Sequence, residues 1–152
     1  MAGRQVHLPS GGILAALQVL VVLALVECQT AEATTIDVTV QEFAVIPAQD
    51  SAPAGTITFN VENMGPNDVH EFVVIKTDLA PDALPTDENG AVEEAGEGME
   101  VIDEIEDIPV GDTPSLTVDL DAASYVLICN IWDEEEQEAH YAMGMRAAFT
   151  VE

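Results

Sequence analysis

From residue 34 onward the chain alternates apolar and polar residues in short stretches, each bounded by residues that favour turns. Thr34 to Val40 (TTIDVTV), Thr56 to Val61 (TITFNV), Ser115 to Leu120 (SLTVDL) and Ala147 to Val151 (AAFTV) all have the two-residue period of a strand with one buried face. Pro53-Ala54-Gly55, Gly65-Pro66-Asn67 and Pro109-Val110-Gly111-Asp112 supply turns between them. Many short strands punctuated this way define an all-β fold, a sandwich or barrel. His70 to Lys76 (HEFVVIK) and Ser124 to Ile131 (SYVLICNI) are more continuously apolar and are expected at the centres of the sheets. Leu79 to Gly98, rich in Pro, Gly and acids, reads as a long excursion on the surface. Val101 to Ile108 (VIDEIEDI) matches neither the strand nor the helix period cleanly and stays open between the two.

A chain of 152 residues, 48% hydrophobic, supports one compact domain. Residues 1–33 differ from the rest. Arg4 is followed by an apolar stretch from Ile13 to Val26, and Ala31-Glu32-Ala33 places small residues where a signal peptidase reads. The expected organisation is an export signal over 1–33, cleaved before Thr34, and a single domain over 34–152. The apolar run is short for a span of roughly 20 residues, which disfavours an uncleaved anchor. Cys28 could carry a lipid, although Glu27 before it suits such a site poorly. Membrane attachment is therefore expected only if the leader is retained or lipidated, and the mature protein is expected in the periplasm or outside the cell, as a monomer.

Beyond residue 33 there are 27 acidic residues against two basic ones, Lys76 and Arg146, a net charge of −25. Such a surface repels nucleic acid and anionic lipid. Acids spread along the whole chain suit salty or acidic surroundings, where screening or protonation moderates their repulsion; the functional alternative is steering toward a cationic partner.

The same region holds few groups able to bind a soft transition metal: His70, His140, Cys129 and four methionines, with Met143 and Met145 just beyond His140. An exported domain with one cysteine keeps it buried, pairs it between molecules or uses it as a metal ligand. Two imidazoles and a thiolate, with a weak axial thioether, are the donor set of a blue-copper electron-transfer site, where soft sulfur suits Cu(I) and imidazole suits both oxidation states. In a Greek-key sandwich, strands distant in sequence become neighbours, so His70 and Cys129 can meet. Taken singly, each residue has a structural reading: a hydrogen-bonded histidine, a small buried thiol, a core methionine. Trp132 and Tyr141 are read as packing residues.

These residues carry a resemblance to the cupredoxins, the small blue-copper proteins. PAGTITFNVEN (53–63) and VENMGPNDVHEFVV (61–74) resemble that family's strand, turn and first histidine. YVLICNI (125–131) and HYAMGMRAAFTV (140–151) resemble its cysteine strand, His-x4-Met loop and closing strand. The resemblance implies a Greek-key β-sandwich binding one type 1 copper ion, with His70, Cys129 and His140 as equatorial ligands and Met145 as the axial one. Met145 is preferred to Met143 on the plastocyanin-like His-x4-Met spacing. The implied activity is one-electron transfer between redox partner proteins, without catalysis. A copper-sequestering or copper-delivery module, or an interaction domain of the same fold without electron transfer, is the alternative.

Two departures from the family concern the rigidity of the site. Ten residues separate Cys129 from His140, including the acidic run Asp133 to Glu136, where the family usually has a few residues and often a Pro. Closing the longer loop costs little entropy but is expected to lose stiffness. Its acids are read as a solvated turn whose charge, near a copper site, favours Cu(II) and lowers the potential. Glu71 stands where many members carry an Asn that braces the ligand loop.

Other chemistries are disfavoured. A binuclear electron-transfer centre needs two cysteines, and a copper oxidase or nitrite reductase needs a second, histidine-rich site. A Cys129–His140 nucleophile pair would sit at an apolar strand end without electropositive surroundings. The acids lack the ordered loop pattern of a calcium site.

Overall fold

Two β-sheets pack face to face in the computed structural model, which describes Gly3 and residues 33–152. Apart from Gly3 and Ala33, the leader expected over 1–33 lies outside the described residues, and Cys28 with it. Among the described residues no helix is long and apolar enough to cross a membrane.

The first sheet has the order β2-β1-β4-β7, formed by β1 (Thr34–Gln41), β2 (Ala44–Pro47), β4 (Gly55–Asn63) and β7 (Ser115–Leu120). The second has the order β3-β11-β8-β5-β6, from β3 (Ser51–Ala52), β5 (His70–Thr77), β6 (Met99–Ile108), β8 (Ala123–Ile128) and β11 (Arg146–Val151). β1 pairs parallel with β4, whereas β4–β7, β5–β8 and β8–β11 are antiparallel. The all-β, Greek-key sandwich expected from the sequence is the observed fold.

Alternation produces the inner faces directly. Ile36, Val38 and Val40 of β1, Ile57, Phe59 and Val61 of β4, and Leu116, Val118 and Leu120 of β7 point inward, and their polar neighbours face out. Phe59 lies at the centre, with ring centroids 5.3 Å from Phe72 of β5 and 5.5 Å from Phe149 of β11. The continuous apolar runs of β5 and β8 have a different cause. These strands are central in their sheet, and both faces are covered. Phe72, Val74 and Leu127 enter the inter-sheet core, while Val73, Ile75, Val126 and Ile128 form a second cluster on the outer face.

What covers that outer face corrects the expected surface excursion over 79–98. Leu84 and Val92 are buried in the second cluster together with Tyr141, and Thr86 bridges to Val92. The segment is polar overall, yet two apolar side chains pin it to the sheet. Val101 to Ile108 belongs to a strand, β6, at the sheet edge. Its pairing with β5 shifts register between His70 and Phe72 and again between Val74 and Ile75, which is why neither period fits its sequence. β8 ends at Ile128, short of the expected Ile131, so Cys129 lies just past the strand.

The segment after Cys129 is more ordered than its length implies. Trp132–Asp133 (β9) and Glu138–Ala139 (β10) pair as a small antiparallel hairpin, and His140–Met143 forms one helical turn, α1.

Candidate metal centre

The start of β5, the end of β8 and the start of β11 lie at the same end of the sandwich, because the three strands are antiparallel neighbours. His70 opens β5, Cys129 follows β8, His140 opens α1, and Met145 precedes β11. All four are essentially inaccessible to solvent, with His140 at 2% exposure. Among the described residues, His70, Cys129 and His140 form the one group of three His, Cys, Asp or Glu side chains whose potential ligand atoms all lie within 4.8 Å of one another. The Nδ1 atoms of His70 and His140 are 3.2 Å apart, and Cys129 Sγ lies 3.3 Å from His140 Nδ1 and 3.9 Å from His70 Nδ1.

This spacing fits a metal ion. Bonds of about 2.0 Å to nitrogen and 2.3 Å to sulfur, arranged trigonally, separate the donors by about 3.5–3.7 Å, inside the observed spread. Burial holds both imidazoles below their usual pKa; His140 adds to this at His70, while nearby carboxylates oppose it at both. The rings are therefore neutral at pH 7, the state in which a ring nitrogen offers a lone pair. Burial also pushes the Cys129 thiol up to about 12. A cation bound there must displace its proton.

The polypeptide around the donors is braced. Glu71 N–H points at Cys129 Sγ, 3.3 Å away, and Cys129 N–H donates to Met145 O at 3.1 Å. Glu71 also braces the residue after the cysteine: its Oε1 accepts from Asn130 N at 2.7 Å. Burial, with Glu104, Glu94 and Glu106 nearby, pushes the Glu71 carboxyl up to about 7 against the lowering effect of the Asn130 hydrogen bond. Asn130 in turn clasps Val92, accepting from its N–H at 2.5 Å and donating to its carbonyl at 3.0 Å, which ties the covering segment to the cysteine.

The ten-residue loop departs from the expected loss of stiffness. His140 N–H donates to Ile131 O at 2.9 Å and closes the β9–β10 hairpin, while Asp133 Oδ1 caps the turn by accepting from Glu135 N and Glu136 N. Glu134, Glu135 and Glu136 are exposed, as expected of a solvated turn, while Asp133 is half-buried. Tyr141 is a packing residue with a polar tip; its hydroxyl donates to Pro81 O at 2.7 Å and accepts from Leu84 N at 3.1 Å.

Met143 is 47% exposed, whereas Met145 is wholly buried in the inter-sheet core that also contains Cys129. The chain reverses between them at Gly144, at φ +125°, where an added Cβ would lie 3.2 Å from the Phe43 carbonyl oxygen. Gly144→Ala is expected to lower the unfolding free energy by about 1–3 kcal/mol in chemical denaturation, the cost of holding a side chain at that angle. A loss below about 0.5 kcal/mol would mean that the turn relaxes freely.

Three supporting residues escaped the reading of the sequence. Asn63 is fully buried, donating to Asp68 O and Ile108 O and accepting from Gly65 N, and so fixes the loop that delivers His70. Phe43 packs edge-on against His140, with centroids 5.6 Å apart. Glu42 accepts from the backbone of Asn67 and Asp68 beside His70. Glu42 and Phe43 act on residues distant in sequence, and Asn63 ties its own loop to Ile108 at the end of β6, so none of them carries a short motif.

A two-sheet sandwich in this strand order, with a cysteine and two histidines gathered at one end, has the cupredoxin fold. Similar solved structures include an auracyanin from the photosynthetic bacterium Roseiflexus castenholzii, solved in its dithionite-reduced state. It is 24% identical over 79% of this chain and 98% of its own, with a TM-score of 0.55. Auracyanin A, a "blue" copper protein from Chloroflexus aurantiacus, is 19% identical over 79% of this chain and 99% of its own, at 0.53. Rusticyanin from Thiobacillus ferrooxidans is 15% identical over 81% of this chain and 79% of its own, also at 0.53. No protein-family model and no curated protein matches the sequence.

Proposed function

We propose that the chain is an exported one-electron carrier that holds a single copper ion between His70 Nδ1, His140 Nδ1 and Cys129 Sγ, with the Met145 thioether as a weak axial ligand. The observation that carries this reading is the convergence of two imidazoles and one thiol, all buried, at 3.2–3.9 Å. Copper bound there supplies the Cu(II)/Cu(I) couple, to which this mixture of soft sulfur and imidazole donors is suited. The burial of Met145 and the exposure of Met143 support Met145 as the axial group.

The protein's own part is to hold the donors still. β5 and β8 are interior strands of their sheet; the Glu71 N–H faces Cys129 Sγ, the Cys129 N–H donates to Met145 O, and the next residue, Asn130, donates its N–H to Glu71 Oε1. A frame that does not rearrange suits electron transfer, which needs one geometry acceptable to both oxidation states. The partners in this reading are redox proteins, and cationic ones are favoured by the net charge of −25 beyond residue 33.

Titration of the metal-free protein with Cu(II) tests the reading. An intense blue charge-transfer band is expected, saturating at one equivalent and bleaching reversibly on reduction. Weak, colourless binding would overturn it in favour of a copper-delivery module or an interaction domain.

A further inference from the structure

Among the described residues, His70 Nε2 and Glu42 Oε2 are the buried side-chain nitrogen and oxygen atoms left without a hydrogen bond. They face each other at 3.9 Å, and the two side chains are 0% and 11% exposed. That gap is about 1 Å longer than a direct hydrogen bond and too short for a water bridging at ordinary angles. The carboxylate is not there by chance of packing. Its other oxygen accepts from Asn67 N at 2.8 Å and from Asp68 N at 2.6 Å, so the loop entering β5 holds Glu42 in place while Oε2 points at the ring.

We propose that Glu42 is a positioning residue for the metal centre: its carboxylate takes the Nε2–H of His70, which leaves Nδ1 as the lone pair facing Cys129 and His140 and makes the imidazole a stronger donor to Cu(II). An outer carboxylate so placed would fix the tautomer of a ligating imidazole and raise its basicity. The Nδ1 atoms 3.2 Å apart agree with it, since His140 Nδ1–H can donate to the His70 lone pair when no metal is present. The effect on copper rests on the proposed function, whereas the effect on the His70 tautomer does not.

Two measurements decide it. In the metal-free protein, nitrogen NMR of His70 is expected to show the proton on Nε2 and a bare Nδ1; a proton resident on Nδ1 overturns the proposal whether or not copper binds. In the copper-loaded protein, Glu42→Gln keeps the shape and removes the charge. The ratio of Cu(II) to Cu(I) affinity is expected to fall about tenfold, which raises the reduction potential by about 59 mV. An unchanged potential in a folded, blue Glu42→Gln protein overturns the proposal. Should Glu42→Gln fail to fold, the tautomer of the unaltered protein decides alone. Should the unaltered protein take no copper, the functional reading falls, and the same tautomer measurement still decides the role of Glu42.

Discussion

Cys129→Ser is expected to abolish the intense blue absorption of the copper-loaded protein while leaving the sandwich folded. The absorption needs a thiolate bound to Cu(II), and a serine hydroxyl supplies neither the soft donor nor the charge-transfer transition. Affinity for Cu(I), which depends most on sulfur, should fall by at least about tenfold. Stability without metal should change by no more than about 1 kcal/mol. Serine is nearly isosteric, and the Glu71 N–H that now faces Sγ at 3.3 Å can donate to its oxygen. Comparing the melting curves of both metal-free proteins separates loss of the ligand from loss of the fold. Undiminished blue colour in the variant would show that the cysteine is not a ligand.

The largest expected effect on stability is at Phe59. Its ring is completely buried and lies against Phe72 and Phe149, so it joins the two sheets at mid-height. Phe59→Ala removes the buried area and leaves a cavity that β-sheet backbones on either side cannot collapse to fill, a cost of about 3–5 kcal/mol. Against a total stability of about 5–15 kcal/mol this is a large share. A fall in melting temperature of about 10–20 °C is expected in thermal denaturation. A fall under about 3 °C would show that the core repacks around the missing ring.

How much of this could be read from the sequence depended on whether the deciding contacts were local. β7 was expected at Ser115 to Leu120 and spans those residues, because Leu116, Val118 and Leu120 alternate over a solvent-facing polar set. β5 and β8 were legible as apolar runs, although their covering partner was not: Leu84 and Val92 are two side chains in a stretch otherwise dominated by acids, Pro and Gly. β2 was missed, being four residues long and ending in Pro47. The β9–β10 hairpin lacks the Asn-Gly or Asp-Gly pair that announces a tight turn; its turn rests on Asp133 and on Gln137 at φ +58°. The gathering of His70, Cys129 and His140 was legible because residues 34–152 hold so few imidazoles and thiols. The supporting contacts were not, since Glu71 with Asn130 and Glu42 with His70 join segments distant in sequence.

The unequal anchoring of the donors has a kinetic consequence. His70 and Cys129 are carried at the ends of central strands, whose exposure requires the sheet to come apart and so costs close to the global unfolding free energy. His140 is carried on a four-residue helical turn after a two-pair hairpin, a unit with fewer ladder hydrogen bonds to lose than a central strand even though its side chain is buried. Amide hydrogen exchange is expected to find α1 and the hairpin opening faster than β5 or β8, and equal protection of all four would show that the His140 segment is held as firmly as the sheet. In the proposed copper site, substitutions in the β9–β10 turn are then expected to change the rate of copper uptake more than its affinity, since His70 and Cys129 are held by the sheet.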